Sequence, residues 1–428
     1  MDRPRHQLDN LLENGGSRMK AIIVVGDGLA DRPLKGLLGR TPLEAAEKGN
    51  LDTVAREGIC GIMDVISPGR PPGSDAANLA LLGYDALESY RGRGALEALG
   101  AGIDVRPGDV AFRGNFAYVD DGGVVVDRRA GRVEGSIFSD YLSDIRLDSH
   151  PDVEVKVLPT LGHRLTVVLR GEGLSWRISD TDPHRDGMKI LNSTPLDGSQ
   201  EAKRTAEIVN ELTRLLREMM SRHPLNRERL KVGLPPVNAV LLRGAGEPPV
   251  VKPLSEAYGL RGACVAVTPT VRGACRSAGF DLYTAPGATG GVDTDALSKA
   301  RVVERILPEY DLIYLHVKGA DNASHDGDPH LKIKVIEKID SMVGYLLEKV
   351  DWSETYMAIT ADHTTSTRAK EHVGDPVPLA LKGPEVRADG VDSFSERSCA
   401  RGGLGRIRGK DLMPIILDLL GKMELFGS

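Results

Sequence analysis

The chain has 428 residues and a formal net charge of −6; 27% of its residues are charged and 4% are aromatic. This balance is typical of globular proteins and argues against broad binding to nucleic acids or membrane surfaces, which favours a basic face. No apolar run approaches the ~18 residues of a membrane span. Residues 1–18 are polar and lack the apolar stretch of a signal peptide. We expect residues 1–18 to be a flexible extension.

The cysteines indicate a reducing compartment. They are far apart and form no CxxC pair, which argues against a disulfide framework and against a zinc ribbon. We therefore expect a cytoplasmic protein. The four positions are Cys60, Cys264, Cys275 and Cys399.

Short apolar runs that end in glycine or acidic residues predict buried strands. They are "KAIIVVGDG" (20–28), "DLIYLHVKG" (311–319) and "TYMAITADH" (355–363). Between the last two, apolar residues of 331–350 recur at helical spacing. A strand, a helix and a strand, with nearly continuous apolar strands, indicate a mostly parallel sheet flanked by helices, which is an α/β fold.

The middle of the chain has a different pattern. Residues 112–129 predict a hairpin around "DDGG", and "VEVKVL", "RLTVVLR" and "SWRISD" add strand-like runs before an amphipathic helix at 200–220. Buried strands return at 238–246 and 262–269. We therefore predict one α/β domain, formed by 19–107 and 236–428, that is interrupted by a smaller inserted α+β domain at 108–235.

Acidic and histidine side chains follow the predicted parallel strands at the points where these strands end. Because the carboxyl ends of parallel strands face one edge of a sheet, we expect these side chains to converge. Clustered carboxylates repel one another unless a cation is present, and mixed Asp and His sets suit Mn²⁺, Zn²⁺ and related ions. The donors exceed the needs of one ion and suit two ions that clamp a phosphoryl group. They are Asp27, Asp321, His325, Asp362, His363 and His372.

Ser74, in "PPGSDAANLALLGYD" (71–85), allows two interpretations. A serine before Asp-Ala-Ala is an ordinary helix N-cap. Beside a metal, its hydroxyl can instead be a ligand and a nucleophile, and a helix that begins at Asp75 would point free N–H groups at a phosphate. The residues alone leave both interpretations open.

Two nucleotide-binding motifs are absent. "VVGDGLAD" does not fit GxGxxG, because Asp31 stands where the third glycine belongs, and Asp27 would place negative charge beside a pyrophosphate. No GxxxxGK segment is present, which excludes a P-loop. A nicotinamide-dependent dehydrogenase is therefore a weak alternative.

Five segments together resemble the archaeal-type 2,3-bisphosphoglycerate-independent phosphoglycerate mutases of the alkaline phosphatase superfamily. They are "VVGDGLADRP", "PPGSDAANLALLGYD", "HVKGADNASHDGD", "TADHTTSTRAKEHVGDPVP" and "ARGGLGRIRGKDLMPIILDLLG". The resemblance runs from Met19 to the C-terminus and is weaker in the inserted domain. Where the family pattern has "GSDTAHL" and "HVKAPDEAGHDGD", this chain has "GSDAANL" and "HVKGADNASHDGD", which removes no predicted ligand.

The resemblance implies a fold, a reaction and roles for the ligands. It implies an alkaline-phosphatase-like sheet and the interconversion of 3-phosphoglycerate and 2-phosphoglycerate in glycolysis and gluconeogenesis. It further implies no 2,3-bisphosphoglycerate, but two divalent ions, with manganese, magnesium, cobalt or zinc serving different members. Ser74 would be the phosphorylated nucleophile. One ion would be held by Asp321, His325 and His372, and the other by Asp27, Ser74, Asp362 and His363.

The substrate carries a carboxylate and a phosphate, so its site needs further cations. "DRRAGR" (127–132) offers arginines, whose forks bind two oxygens at once, although alone it could be a solvated basic turn. The resemblance implies that the inserted domain holds the glycerate moiety. Because water would turn such an enzyme into a phosphatase, we expect this domain to close and exclude it. The candidates are Arg128, Arg132, Arg243 and Lys299, followed by His163, Asp182 and His184.

Alternatives remain open. A phosphatase, a phosphopentomutase or a kinase-like paralogue acting on a small alcohol could use the same site. A non-catalytic metal-binding protein on this scaffold would lack a ligand or the nucleophile, and none is missing. The absence of an "RHG" histidine disfavours the cofactor-dependent mutase. The native metal and the oligomeric state stay open.

Overall fold

The computed structural model describes residues 19–160 and 162–427, so the predicted extension, residues 1–18, lies outside the described residues. The strands are β1 (Lys20–Gly26), β2 (Ile59–Asp64), β3 (Val110–Val119), β4 (Val125–Asp127), β5 (Glu154–Pro159), β6 (Arg164–Arg170), β7 (Ala239–Gly246), β8 (Gly262–Val265), β9 (Asp281–Tyr283), β10 (Leu312–Val317), β11 (Thr355–Thr360), β12 (Thr364–Ser366), β13 (Glu371–Val373), β14 (Val377–Lys382) and β15 (Gly405–Arg408). The α-helices are α1 (Pro42–Ala45), α2 (Gly49–Arg56), α3 (Ser74–Leu81), α4 (Ala86–Ser89), α5 (Arg93–Gly100), α6 (Gln200–Ser221), α7 (Leu225–Lys231), α8 (Leu254–Tyr258), α9 (Pro269–Ser277), α10 (Ala296–Ile306), α11 (Gly319–Asp326), α12 (Pro329–Lys349), α13 (Glu396–Cys399) and α14 (Gly409–Leu419).

The chain forms two units. The first comprises the chain up to Glu88, Lys252–Thr268 and the chain from Ala278 onwards. The second comprises Ser89–Val251 and Pro269–Ser277. Within the described residues, no helix is both long enough and apolar enough to span a membrane.

An eight-stranded sheet forms the centre of the first unit, in the order β15-β2-β14-β11-β1-β10-β8-β9. β14 is antiparallel to both of its neighbours, and the other pairings are parallel. β10 and β11 are buried along their whole length, and β1 from its second residue on, because helices cover the sheet. The α/β fold class is therefore confirmed, with the ends of β11, β1 and β10 side by side.

The helix predicted at 331–350 is α12, which begins two residues earlier. The Asp328 side chain accepts a hydrogen bond from Leu331 N (2.9 Å), which caps the helix and lets Pro329 take its first position. Its apolar face packs against α1, α2, α10 and α11. This packing fixes the segment between β10 and β11.

A separate antiparallel sheet forms the second unit, in the order β4-β3-β6-β5, with β7 also paired to β3. Phe112, Phe116 and Val167 pack with the apolar face of α6 in one large core. Ala111 and Val168 pack with α5 in a smaller core. Because successive side chains of β3 point to opposite faces of the sheet, α6 packs on one face and α5 packs on the other.

The predicted domain bounds differ from the units. The prediction placed 89–107, 236–251 and 269–277 in the α/β domain, whereas all three belong to the second unit. There α5 packs on β3 and on α9, and β7 pairs with β3. The run at 238–246 is a buried strand as predicted, but of the antiparallel sheet. The predicted hairpin is β3 and β4. "SWRISD" forms no strand and contributes only an isolated bridge between Ile178 and Pro195.

Candidate metal centre and active site

The predicted ligands gather at the ends of adjacent strands. Asp27 directly follows β1, Asp321 lies in α11 after β10, and Asp362 follows β11. All three carboxylates are buried. Two sets of side chains have donor atoms within 4.8 Å of one another and could each hold a metal ion: Asp321, His363 and His372, and Asp27, Asp362 and His363.

Two histidines are oriented by main-chain carbonyl groups. Nδ1 of His325 lies 2.7 Å from the Lys370 carbonyl oxygen, and Nδ1 of His372 lies 2.7 Å from the Pro72 carbonyl oxygen. Because a carbonyl oxygen only accepts, each Nδ1 donates, which leaves the Nε2 lone pair of a neutral ring facing inward. Both Nε2 atoms lie 3.3 Å from Asp321 Oδ1. His325 thus reaches Asp321, although it lies outside the two sets above.

The hydroxyl of Thr365 orients His363. It donates to Asp321 Oδ1 (3.0 Å), which as a carboxylate oxygen only accepts, and so accepts from His363 Nδ1 (2.9 Å). The Nε2 lone pair of His363 is then free to face the centre. It lies 3.1 Å from Ser74 Oγ and 3.3 Å from Asp27 Oδ1. Oriented imidazoles of this kind are a regular feature of metal sites.

Ser74 is not the cap of its helix. Gly73 occupies the N-cap position, without any side-chain cap, and Ser74 is the first residue of α3. Its carbonyl oxygen accepts from Asn78 Nδ2 (2.6 Å), which also donates to Asp362 Oδ2 (3.1 Å). The hydroxyl therefore faces His363 instead of capping α3. Asn78, where the family pattern has histidine, links the nucleophile candidate to a ligand candidate.

A glycine is required where the chain turns after β1. Gly28 has φ +65°, and a Cβ there would lie 2.8 Å from Asp321 Cα and 2.6 Å from Thr365 Oγ1. Its N–H donates to Asp362 Oδ1 (3.2 Å). Only glycine allows this close approach without strain.

Two basic side chains of the centre are absent from the predicted set. Lys318 Nζ lies 3.2 Å from Asp27 Oδ2 and 2.7 Å from Asp321 Oδ2. His316 Nε2, on the buried β10, lies 3.3 Å from Asp27 Oδ2. The signal for Lys318 was its place directly after a strand end, whereas His316 is hidden within an apolar run.

The charges of the centre favour ionised carboxylates. Burial alone would raise the pKa of Asp27, but Lys318, His316 and His363 hold it well below its usual range. Burial would likewise raise the pKa of Asp321, yet His325 and its neighbours hold it low. In return, Asp321 raises the pKa of His325 to about 9. The carboxylates of the centre are thus stabilised in their ionised form by the basic side chains beside them.

The donor set fits divalent cations. Asp27 Oδ1 is buried and has no hydrogen-bond partner among the residues that the structure describes. His363 Nε2 faces Asp27 Oδ1, and His372 Nε2 faces Asp321 Oδ1. When the histidines are neutral, each of these pairs brings two hydrogen-bond acceptors together. Such an arrangement is costly without a cation between the atoms. Carboxylate and imidazole donors suit Mn²⁺, Zn²⁺ and related ions.

The second unit contains a separate cationic cluster. Arg113 of β3 and Arg243 of β7 are direct cross-strand partners, and Arg164 of β6 is the partner of Asn115. Like charges at opposed positions destabilise a sheet unless an anion or carboxylate lies nearby. Burial and then the neighbouring arginines, Arg164 first, lower the pKa of His163 to about 4.

Three other candidates, Arg128, Arg243 and His184, lie around the buried carboxylate of Asp182. Arg128 donates to both oxygens of Asp182 (2.9 and 2.6 Å), and Arg243 Nε lies 3.8 Å from Asp182 Oδ2. The His184 main-chain N–H donates to Asp182 (2.9 Å). Arg132 is exposed. Asp182 therefore positions two arginines, whereas Arg113 donates to Glu97 (3.1 Å). The sequence did not single out Arg113 or Arg164.

Lys299 corrects a prediction. Its side chain is fully buried, and Nζ donates to the main-chain carbonyl oxygen of His316 (2.7 Å). Burial is the main reason that the pKa of Lys299 falls to about 8. Lys299 therefore fixes the main chain of β10 through this hydrogen bond, and its buried side chain is not accessible to a substrate.

Comparison with known proteins establishes the family of this chain. A family model described as 2,3-bisphosphoglycerate-independent phosphoglycerate mutase matches residues 55–226. The chain is 46% identical over 412 residues to the protein of that name, numbered 1, from Methanocaldococcus jannaschii, covering 96% of this chain and 99% of the other. The chain belongs to this family. Its class as an isomerase of this mutase family is thereby confirmed.

Further members and solved structures extend the match. The mutase of Ignicoccus hospitalis is 47% identical over 417 residues, covering 96% of this chain and all of that protein. A Pyrococcus horikoshii protein has a TM-score of 0.83 and 38% identity, covering 96% of this chain and 100% of that chain. The cofactor-independent phosphoglycerate mutase from Thermoplasma acidophilum has a TM-score of 0.69 and 37% identity, covering 94% of this chain and 100% of that chain.

Proposed function

We propose that this chain interconverts 3-phosphoglycerate and 2-phosphoglycerate, a step of glycolysis and gluconeogenesis, without 2,3-bisphosphoglycerate and through a phosphoserine at Ser74. Membership of the mutase family supports the reaction. The observation that carries the mechanism is the position of Ser74 Oγ, 3.1 Å from His363 Nε2. If cations bind where the acceptors converge, His363 acts as a ligand and is not needed as the base for this serine.

Seven side chains are proposed to hold two divalent cations. Bound ions would supply positive charge for the phosphoryl oxygens and would favour the ionised form of the Ser74 hydroxyl. We assign the first ion to Asp321, His325 and His372, and the second to Asp27, Ser74, Asp362 and His363. His363 belongs to both sets of close donors, so the division between the ions is part of the proposal.

The covalent chemistry takes two steps. Ser74 Oγ first bonds to phosphorus while the bond from phosphorus to the substrate's 3-oxygen breaks, and that oxygen takes up a proton. The 2-hydroxyl oxygen of glycerate then bonds to phosphorus, its proton departs, and the bond from phosphorus to Ser74 Oγ breaks. Water must be excluded between the steps, because attack by water would make the enzyme a phosphatase. Free N–H groups at the start of α3 are suited to bind the phosphate.

The cationic cluster of the second unit is proposed to bind the glycerate carboxylate. Arg113 and Arg243 are paired across two strands, and Arg128 is held by Asp182. Arginine forks bind carboxylates with two parallel hydrogen bonds. The predicted closure of this domain would serve the exclusion of water.

The test combines turnover with trapping of the intermediate. Ser74→Ala should abolish formation of 2-phosphoglycerate in an enolase-coupled assay, and phosphopeptide mapping after an acid quench should find phosphate on Ser74 of the wild type only. Ser341→Ala is the matched control, because this exposed hydroxyl only donates to the Glu337 carbonyl oxygen. Mutase activity of Ser74→Ala close to that of the control would refute the nucleophile. Phosphate release without 2-phosphoglycerate would favour a phosphatase.

A further inference from the structure

The two carboxylates that belong to different metal-ligand sets divide their oxygens in the same way. Oδ1 of Asp321 faces His325, His372 and the Thr365 hydroxyl. Oδ1 of Asp27 faces His363. The opposite oxygens, Oδ2 of both residues, face the same ammonium group, Lys318 Nζ, at 2.7 and 3.2 Å. Oδ2 of Asp27 also lies 3.3 Å from Nε2 of His316, which is not one of the predicted ligands. Lys318 thus contacts one member of each set on the side away from these histidines.

This contact is stronger than an ordinary surface ion pair. The Lys318 side chain is 23% exposed, whereas those of Asp27 and Asp321 are 0% and 4% exposed. Exposed pairs contribute little because water screens them, but partly buried pairs are screened much less. A positive group held this close to both carboxylates offsets their repulsion when no metal is bound. It also repels any divalent ion that binds to the other oxygens of the same carboxylates.

We propose that Lys318 is a positioning residue of the metal centre: its ammonium group holds Asp27 and Asp321 in place in the metal-free protein and lowers the affinity of the centre for divalent cations. The proposal rests on the metal centre of the proposed function. It assigns Lys318 a role that a lysine with a purely structural ion pair would not have, because loss of the side chain should tighten metal binding.

The experiment compares three variants of the full chain after removal of metal with EDTA. Lys318→Met removes the charge and keeps the length of the side chain. Lys318→Arg keeps the charge. Lys349→Met is the matched control, because the ion-pair partner of this lysine among the described residues is the exposed Glu348. Mn²⁺ binding is measured by isothermal titration calorimetry without substrate, and the melting temperature of each metal-free protein is measured by calorimetry.

We expect Lys318→Met to bind Mn²⁺ about tenfold more tightly than wild type, as loss of one nearby positive charge predicts. We also expect its metal-free form to melt several degrees lower. Lys318→Arg and Lys349→Met should match wild type in both measurements. If metal-free Lys318→Met does not fold, Lys318→Gln takes its place in the titration.

Three outcomes would overturn the proposal. Mn²⁺ affinity of Lys318→Met equal to or weaker than that of wild type would refute the effect on affinity. An unchanged melting temperature of its metal-free form would refute the positioning role. A wild-type protein that binds no divalent ion would refute the metal centre as well, which separates failure of the proposed function from failure of this inference alone.

Discussion

Replacement of Thr365 by valine tests whether the ligands of the centre are oriented by their hydrogen bonds. The substitution keeps the volume and removes one hydroxyl group, which links His363 Nδ1 to Asp321 Oδ1 at 2.9 and 3.0 Å. A hydrogen bond to a charged group contributes about 1.5–3 kcal/mol and a neutral one about 0.5–1.5 kcal/mol. The two together amount to about 2–4.5 kcal/mol, and both partners are buried.

Part of this energy should appear in metal affinity. Without the hydroxyl, His363 is free to carry its proton on Nε2, which would then be unable to act as a ligand. Loss of such an outer partner typically costs about 10–100-fold in metal affinity, which is about 1.4–2.7 kcal/mol. We expect Thr365→Val to bind Mn²⁺ about 30-fold more weakly, measured by titration of the EDTA-treated protein.

A matched control exists in the same unit. Thr41 is also buried, and its hydroxyl likewise accepts from an N–H group, Glu44 N (3.0 Å), and donates to a carboxylate, Glu396 Oε2 (2.8 Å). Thr41→Val should therefore lower the free energy of unfolding without any change in Mn²⁺ affinity. Equal Mn²⁺ affinities of Thr365→Val, Thr41→Val and wild type would contradict the role of Thr365.

Three further predictions concern charge. The pKa of His163 is lowered from 6.5 to about 4, so the unfolded chain binds a proton in that pH range that the folded chain does not; wild type should lose stability as the pH falls from about 6.5 to 4, and His163→Gln should lose less, in thermal unfolding across that range. Arg243→Met should raise KM for 3-phosphoglycerate about 10–100-fold in steady-state assays, because a charged hydrogen bond is lost, with Mn²⁺ affinity unchanged; an unchanged KM would exclude Arg243 from substrate binding. Lys332→Met should lower the free energy of unfolding by about 3–5 kcal/mol in urea titrations, because the buried Lys332 ammonium group donates to Asp31 (3.1 Å) and two carbonyl oxygens; a loss below about 1 kcal/mol would contradict this.

The sequence predicted the candidate ligands best where they follow the ends of neighbouring parallel strands. Buried runs predicted β1, β10 and β11, and parallel pairing alone brings Asp27, Asp321 and Asp362 to one edge. It was harder to predict which of the two sheets a strand belongs to. The run at 238–246 is apolar enough for either sheet, and only its pairing with β3 decides the matter.

The surroundings of the ligands were not predictable from local patterns. Arg113 and Arg243 become neighbours through the register of two strands that are distant in the chain, and a single sequence does not specify register. Thr365 and Lys318 were passed over because their importance lies in their hydrogen-bond partners. Lys299 was wrongly predicted to contact substrate, because the sequence does not reveal which face of its helix is covered. Its side chain is buried and bonded to the main chain of β10.

The hydrogen bonds that orient the histidines of the centre join segments that are distant in the chain. His372 is held by the carbonyl oxygen of Pro72, just ahead of Ser74, and His325 is held by that of Lys370, just ahead of β13. Each ligand is therefore positioned by the main chain of a different segment, and neither hydrogen bond can form until both segments are in place. The proposed cation-binding centre therefore depends on the folding of these segments against one another. An isolated segment with the same ligand residues would leave its imidazoles free to rotate and would lose the inward direction of their Nε2 lone pairs.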